Sequence, residues 1–299
     1  MQIGLIGLGK MGYNIALNLR NHGHEVVAQD LNATAVAAIN GEKGIVGVST
    51  ISEMTNLLRG RKAVWLMVPS GKIVDSVIEN LVPQLAPNDI IIDGGNSNFN
   101  DSQRRAAALK EKGIDFLDCG TSGGMSGALN GACTMVGGDP SVFAFCEPIF
   151  KDMSVEGGYL YCGASGSGHF TKMVHNGIEY GMMQSIAEGF EVLEKSGFDF
   201  DFEKVALLWN RGSVIRSWLM ELTADAFSKD AKLDSLRGVM HSSGEGKWTL
   251  ETALNLGVPT PVIALSLIMR QRSQQDDSFA GKVVAALRNE FGGHAVEKK

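Results

Sequence analysis

Short apolar runs rich in β-branched residues alternate with amphipathic stretches through the first half of the chain. Gln2–Ile6, Glu25–Gln29, Ala63–Val68, Ile90–Asp93, Asp115–Asp118 and Thr134–Val136 have the length and composition of strands. Between them, Met11–Asn21, Ala33–Asn40, Gly71–Asn80 and Asp101–Lys112 carry apolar residues at helical spacing. Strand and helix in regular alternation predict βαβ units around a mostly parallel sheet. The runs AVWLMV and IIID have no polar face, as expected of strands covered on both sides. From Gly166 the texture changes. Gly168–Lys195 is long, proline-free and periodic, and Phe202–Asn210, Val214–Phe227, Thr249–Asn255, Pro261–Gln271 and Phe279–Phe291 continue the helical pattern. The pattern predicts an α/β fold with a doubly wound sheet over residues 1–165, then an all-α helical domain over residues 166–299, joined near Cys162–Ser167.

Composition narrows the function classes. With 33 acidic against 27 basic side chains the 299-residue chain carries a formal charge of −6, and no lysine or arginine run offers a nucleic-acid groove. Hydrophobic residues at 44% and charged residues at 20% suit a globular protein with a sizeable core. No apolar stretch approaches the roughly 20 residues that span a bilayer. The greasiest candidate, Val262 to Met269, is too short. The first residues already read as a strand, without a charged leader or cleavage site, so no membrane partner and a cytoplasmic location are expected. Cys119, Cys133, Cys146 and Cys162 show no C-x-x-C spacing, which predicts neither a zinc site nor a disulfide framework.

The sharpest local signal is Gly7-Leu8-Gly9-Lys10-Met11-Gly12, a G-x-G-x-x-G that follows a strand and opens a helix. The first glycine permits the tight turn, the second lets backbone approach a pyrophosphate, and the third lets helix pack closely on strand. Asp30 lies 18 residues beyond Gly12, where a carboxylate would accept from the adenosine ribose hydroxyls. It would repel a 2′-phosphate, and Leu31-Asn32 offers no arginine to receive one. These residues predict a Rossmann-type domain that binds NAD, with NADP the weaker alternative. Val68-Pro69-Ser70-Gly71 follows another strand, where such sheets carry ligand loops; Pro69 could equally just end the strand.

Lys172, His175, Asn176 and Glu179 stand at i, i+3, i+4 and i+7 on one helical stripe, with Tyr180 beside them. Two readings of that stripe stay open, a solvated charged face and a chemistry-bearing one. Two glycine clusters at strand ends, Asp93-Gly94-Gly95-Asn96-Ser97 and Cys119-Gly120-Thr121-Ser122-Gly123-Gly124, are likewise either plain loops or places where backbone N–H groups hold a carboxylate.

Together, GLGKMG, DGGNS, TSGG, KMVHNGIEYG, GEGKWT and the terminal FGGH resemble the 6-phosphogluconate dehydrogenases, in the right order over nearly the whole chain. The length resembles the short form of that family, and Asp30 its NAD-preferring branch. The resemblance implies oxidative decarboxylation of 6-phosphogluconate to ribulose 5-phosphate in pentose phosphate or gluconate metabolism. It implies that Lys172 takes the C3 hydroxyl proton as hydride leaves, and that Glu179 later protonates C1 of an enediol. Asn96, Ser122, Gly123, Gly124, His175 and Asn176 would hold the carboxylate and hydroxyls, with Asn96 and Val68 also meeting the cofactor. Tyr180, Arg270 and Arg288 would grip the phosphate. Arg288 and His294 match a family tail that reaches the neighbouring subunit's site, implying a homodimer or a homotetramer. No metal is required, since a lysine ammonium can stabilise an enolate. As a base, Lys172 would need a pKa below the lysine norm of about 10.4.

One departure stands out. Where the long enzymes place a lysine and a threonine against the phosphate, this chain has Ser243 and Glu245. Either phosphate affinity is lower or the phosphate moves toward Arg270 and Arg288; Glu245 could instead point away or pair with Lys247. Two rivals remain. A sister dehydrogenase of a small hydroxyacid would need neither Glu179 nor the two arginines. An NAD-binding sensor without turnover would have no use for both Lys172 and Glu179.

Overall fold

Eight strands form one sheet in a computed structural model that describes residues 1–298. In chain order the elements of the sheet region are β1 (Gln2–Ile6), α1 (Lys10–Asn21), β2 (Glu25–Gln29), α2 (Ala33–Asn40), β3 (Ile45–Val48), α3 (Ile51–Leu57), β4 (Ala63–Leu66), α4 (Lys72–Leu81), β5 (Ile90–Asp93), α5 (Phe99–Lys110), β6 (Asp115–Ser122), α6 (Gly124–Asn130), β7 (Ala132–Gly138), α7 (Pro140–Met153) and β8 (Ser154–Gly163). Among the described residues helices follow without further strands: α8 (Ser167–Lys195), α9 (Phe202–Trp209), α10 (Trp218–Lys229), α11 (Gly244–Asn255), α12 (Pro261–Ser273) and α13 (Phe279–Gly292). The α/β sheet followed by an all-α region is the architecture that the apolar pattern predicts.

The strand order is β3-β2-β1-β4-β5-β6-β7-β8, parallel from β3 to β6 and reversed at the antiparallel β6–β7 pair. Order reverses beside β1, which makes the crevice above β1 and β4 the place where such a sheet takes a ligand. The physical basis is visible in β4 and β5. Ala63, Trp65, Ile90 and Ile92 join one apolar cluster, whereas Val64, Leu66 and Ile91 join the other. Side chains alternate across a strand, so apolar residues at every position require cover on both faces. Buried Asn18 fastens one of these layers by donating to the carbonyls of Ala128 and Met153, both at 3.1 Å.

The chain divides into two compact units, Met1–His175 and one that starts at Asn176, so that α8 runs out of the first into the second. The second unit has its own core, in which Phe190, Phe202, Met220 and Phe227 pack together.

Several elements differ from the pattern. Val214–Phe227 reads as one helix, but α10 starts only at Trp218, because the Ser217 side chain caps it by accepting from Met220 N–H at 3.1 Å. α11 starts five residues before Thr249, through GEGKW, whose glycines mask its helical pattern. The helix α7 lies over a stretch with Pro140 and Pro148, which argue against a helix when read alone; Asp139 caps it and Pro140 occupies its first turn.

Candidate active site

The glycine loop lies between β1 and α1. Gly7 has φ +101°, and a side chain there would strike the Met67 carbonyl; one on Gly12 would strike the Gly7 carbonyl. Only glycine at both positions lets α1 lie directly against its own loop. Gly9 is the N-cap and has no side chain to occupy the first-turn N–H groups, which is what an approaching phosphate needs. A cavity of about 300 Å³ opens here, with Gly9, Lys10, Met11, Gly12, Val68 and Asn96 among its walls. Asp30 follows β2 and accepts from Leu8 N–H at 2.6 Å and Asn32 N–H at 2.7 Å. The carboxylate therefore also braces the loop behind Gly7, a second role that its sequence spacing does not reveal. Leu31 is 93% exposed and offers no charge to a 2′-phosphate. Cavity, uncapped helix start and carboxylate together suit a dinucleotide.

Val68 and Asn96 belong to two loops that one buried cation joins. Arg105, 3% exposed, donates from Nε to Asp75 at 2.8 Å, from Nη1 to Asp93 at 3.2 Å and from Nη2 to the Gly71 carbonyl at 2.9 Å. The Arg105 hydrogen bond is the main cause that holds the Asp75 carboxyl below its ordinary range. Asp93, fully buried, also accepts from Ser97 Oγ at 2.7 Å and Gly95 N–H at 3.1 Å. Sequence reading passes over Arg105 because RRAAALK looks like an ordinary polar helix face.

Asn96 stands at φ 53°, unusual outside glycine, and its amide pairs with the backbone of Thr121: Nδ2 donates to the carbonyl at 3.2 Å and Oδ1 accepts the N–H at 3.0 Å. Strain of that kind concentrates at functional sites. Gly123 and Gly124, at φ 115° and 60°, turn the chain from β6 into α6. Ser122 Oγ lies 3.3 Å from His175 Nε2. Lys172 is only 5% exposed, and its β-carbon packs against Gly120. A solvated charged face does not describe this stripe.

In the second unit, Asn176 is 9% and Tyr180 5% exposed, while Glu179 is half-buried. The Arg270 guanidinium stacks 3.7 Å over the Tyr180 ring and donates to the His241 carbonyl at 3.0 Å. Ser243 N–H donates to Tyr180 Oη at 3.1 Å, with Ser243 Oγ also at 3.1 Å. Ser243 thus orients Tyr180 without contributing charge. Glu245 is buried in the first turn of α11, where the helix dipole favours a carboxylate. It does not pair with Lys247, which instead meets Glu251 at 3.5 Å. Arg288 and His294 stand apart: among the described residues no hydrogen bond, ion pair or ring contact brings either to Tyr180 or Arg270, and α13 buries no residue. No three His, Cys, Asp or Glu side chains gather where they could hold a metal ion, and no helix is long and apolar enough to cross a membrane, among the described residues.

Comparison with known proteins agrees with this geometry. Residues 2–163 match the model of the NAD binding domain of 6-phosphogluconate dehydrogenase, and residues 168–298 that of the 6-phosphogluconate dehydrogenase C-terminal domain. The YqeC protein of Bacillus subtilis, provisionally named a 6-phosphogluconate dehydrogenase, is 60% identical over 100% of both chains. The NAD(+)-dependent, decarboxylating 6-phosphogluconate dehydrogenase of Haloferax volcanii is 43% identical over 100% of this chain and 99% of its own. Among solved structures, a Plasmodium falciparum 6-phosphogluconate dehydrogenase, determined apo, with NADP+ and with 6-phosphogluconate, superposes with a TM-score of 0.85 at 31% identity. That match covers 100% of this chain and 66% of the Plasmodium chain. Fold, dinucleotide loop and whole-chain similarity agree: the chain belongs to the 6-phosphogluconate dehydrogenase family.

Proposed function

We propose that the chain oxidises and decarboxylates 6-phosphogluconate to ribulose 5-phosphate and CO₂ with NAD as electron acceptor, as a cytoplasmic enzyme. The observation that carries this reading is the buried Lys172 on a stripe with His175, Asn176 and Glu179. The end-to-end similarity to an NAD(+)-dependent decarboxylating relative supports it. Residues 1–165 form the cofactor domain and residues 166–299 the substrate and dimerisation domain in this reading.

The first requirement is to bind a substrate of about three negative charges with an acidic protein. Arg270, fixed against Tyr180, supplies one cation, and Ser243 holds the Tyr180 hydroxyl for the same phosphate. Ser122, Gly123, Gly124, Asn96, His175 and Asn176 orient the carboxylate and hydroxyls. NAD, when bound on Gly7–Gly12 and Asp30 with Val68 nearby, supplies the two-electron acceptor for the C3 hydride. The neutral Lys172 amine takes the C3 hydroxyl proton. As an ammonium it returns that proton to the C3 carbonyl oxygen, where negative charge develops as the C1 carboxylate leaves as CO₂, and the enediol results. Glu179 then delivers a proton to the former C2, now C1 of the enediol, while the Lys172 amine takes the hydroxyl proton as the ketone of ribulose 5-phosphate forms. Arg288 and His294 act on the neighbouring subunit's site in a homodimer. The exposed α13, with no buried residue of its own, supports that part of the reading.

A steady-state assay with 6-phosphogluconate, run in parallel with NAD and NADP, tests the reading. Equimolar NADH and CO₂, with NAD preferred, is the expected result. NADH without CO₂, or turnover only with a small hydroxyacid, would move the chain to the sister dehydrogenases.

A further inference from the structure

A single buried carboxylate holds the start of the helix that carries Lys172. Asp118, on β6, is 0% exposed. Its Oδ1 accepts from Gly166 N–H at 2.6 Å and its Oδ2 from His169 N–H at 2.8 Å. N–H groups in a helix's first turn lack partners within the helix, and a residue just before the helix ordinarily serves them. Here the acceptor comes from 48 and 51 positions upstream, so the cap also fastens α8 to the sheet. Its negative charge faces the positive end of a 29-residue helix.

The seat beneath that turn is built from backbone. A side chain on Gly137 of β7 would lie 2.7 Å from both Asp118 Oδ1 and Gly168 N, and one on Gly168 would lie 2.5 Å from the Met135 carbonyl. The first turn of α8 therefore rests directly on the β6–β7 pair. One turn later, Gly120, two residues past Asp118, receives the β-carbon of Lys172. A second tie comes from α5, where Ser102 Oγ meets buried His169 Nδ1 at 2.7 Å.

We propose that Asp118 is a positioning residue for Lys172. By gripping two N–H groups at once it fixes both the height and the rotation of α8 on β6, and with them the place of the Lys172 amine. A slip of one residue in that seating would move each side chain by 1.5 Å along the axis and about 100° around it. Misplacement of a catalytic group by about 1 Å costs on the order of 100-fold in rate. The inference rests on the reading of Lys172 as the base.

The test is single-turnover NADH formation with enzyme in saturating excess over 6-phosphogluconate, because a misfolded fraction then leaves the observed rate constant unchanged. In Asp118→Asn one acceptor becomes an N–H donor facing a backbone N–H. The expected result is a rate constant at least about tenfold lower, with the dissociation constant for NAD unchanged within about twofold. An unchanged rate constant, whatever the amplitude, overturns the proposal. Should the variant not fold, amide hydrogen exchange on the wild-type enzyme decides the matter. Gly166 and His169 N–H groups should be as protected as the core of β6, and exchange as fast as a frayed helix end overturns the proposal. Lys172→Ala in the same assay separates the two layers of the argument. Wild-type rates there would remove the base itself, whereas an inactive Lys172→Ala beside a fully active Asp118→Asn would remove only the positioning role.

Discussion

A substitution can separate the cofactor role proposed for Asp30 from its bracing of the glycine loop. The Asp30 carboxylate is proposed to hold the adenosine ribose, and it accepts from Leu8 N–H at 2.6 Å and Asn32 N–H at 2.7 Å. Asparagine at this position keeps one oxygen and sets an N–H group against a backbone N–H. Asp30→Asn combined with Leu31→Arg is therefore expected to raise the NADP-to-NAD ratio of kcat/KM by about tenfold or more, as a repulsion becomes an attraction. It should also cost about 1–2 kcal/mol in urea unfolding, through the broken brace. Leu31→Arg alone, at a position 93% exposed, should leave stability within about 0.5 kcal/mol. A double variant with shifted preference and intact stability would mean that Asp30 does not brace the loop. The proposed ribose duty is suggested by the sequence because the spacing from glycine loop to carboxylate is set by the βαβ unit. The brace is not, because it depends on how the loop curls back over β2. Ser243 repeats the lesson. As a letter it looks like a lost cation, and only its bonds to Tyr180 show the orienting role.

Among the elements, the two loops beside the dinucleotide cavity depend on α5 through one side chain. Arg105 joins the Gly71 carbonyl at the start of α4 to Asp93 at the end of β5, with Asp75 completing its coordination. Arg105→Met keeps the apolar stem but leaves Asp93 buried without its cation. Breaking a buried pair in this way costs about 3–5 kcal/mol, measurable in denaturant unfolding. Because the loops it joins hold Val68 and Asn96, KM for NAD should rise by about tenfold, while kcat at saturating NAD stays within about threefold of wild type. An unchanged KM in a folded variant would restrict Arg105 to stability. The strands and helices themselves are well marked where the apolar pattern is dense, as in IIID and AVWL. They are hidden where glycine and proline serve tertiary needs. At the start of α11, Gly246 admits the Tyr180 ring, 2.5 Å from where its side chain would begin, and Gly244 admits the Trp248 ring. The four-residue β3 has a glycine inside it, pressed against Ile39. At Gly246 and in β3, packing against another element decides the residue, so the element's own pattern cannot announce it.

For the molecule as a whole, the last helix poses the sharpest demand. α13 has 14 residues, buries none of them, and exposes Phe279, Val284, Leu287 and Phe291 at 79%, 57%, 56% and 78%. An isolated helix of that length is marginal in water, and an apolar face of that size calls for a partner surface. In the proposed homodimer that partner is a second copy, and a symmetric dimer covers the same face on both subunits. If Arg288 and His294 act in the neighbour's site, each site draws Lys172 from one chain and Arg288 from the other. Lys172→Ala and Arg288→Ala homodimers should then both be nearly inactive. Mixing them in equal amounts, with subunit exchange by mild denaturation and refolding, makes half of the dimers mixed. In a mixed dimer one site collects both substitutions and the other collects neither. The mixture should recover about a quarter of the wild-type rate. If the tail serves its own chain instead, every site in the mixed dimer carries one substitution and no activity returns. Recovered activity measures the sharing directly, with a size set by the statistics of assortment rather than by any fitted energy.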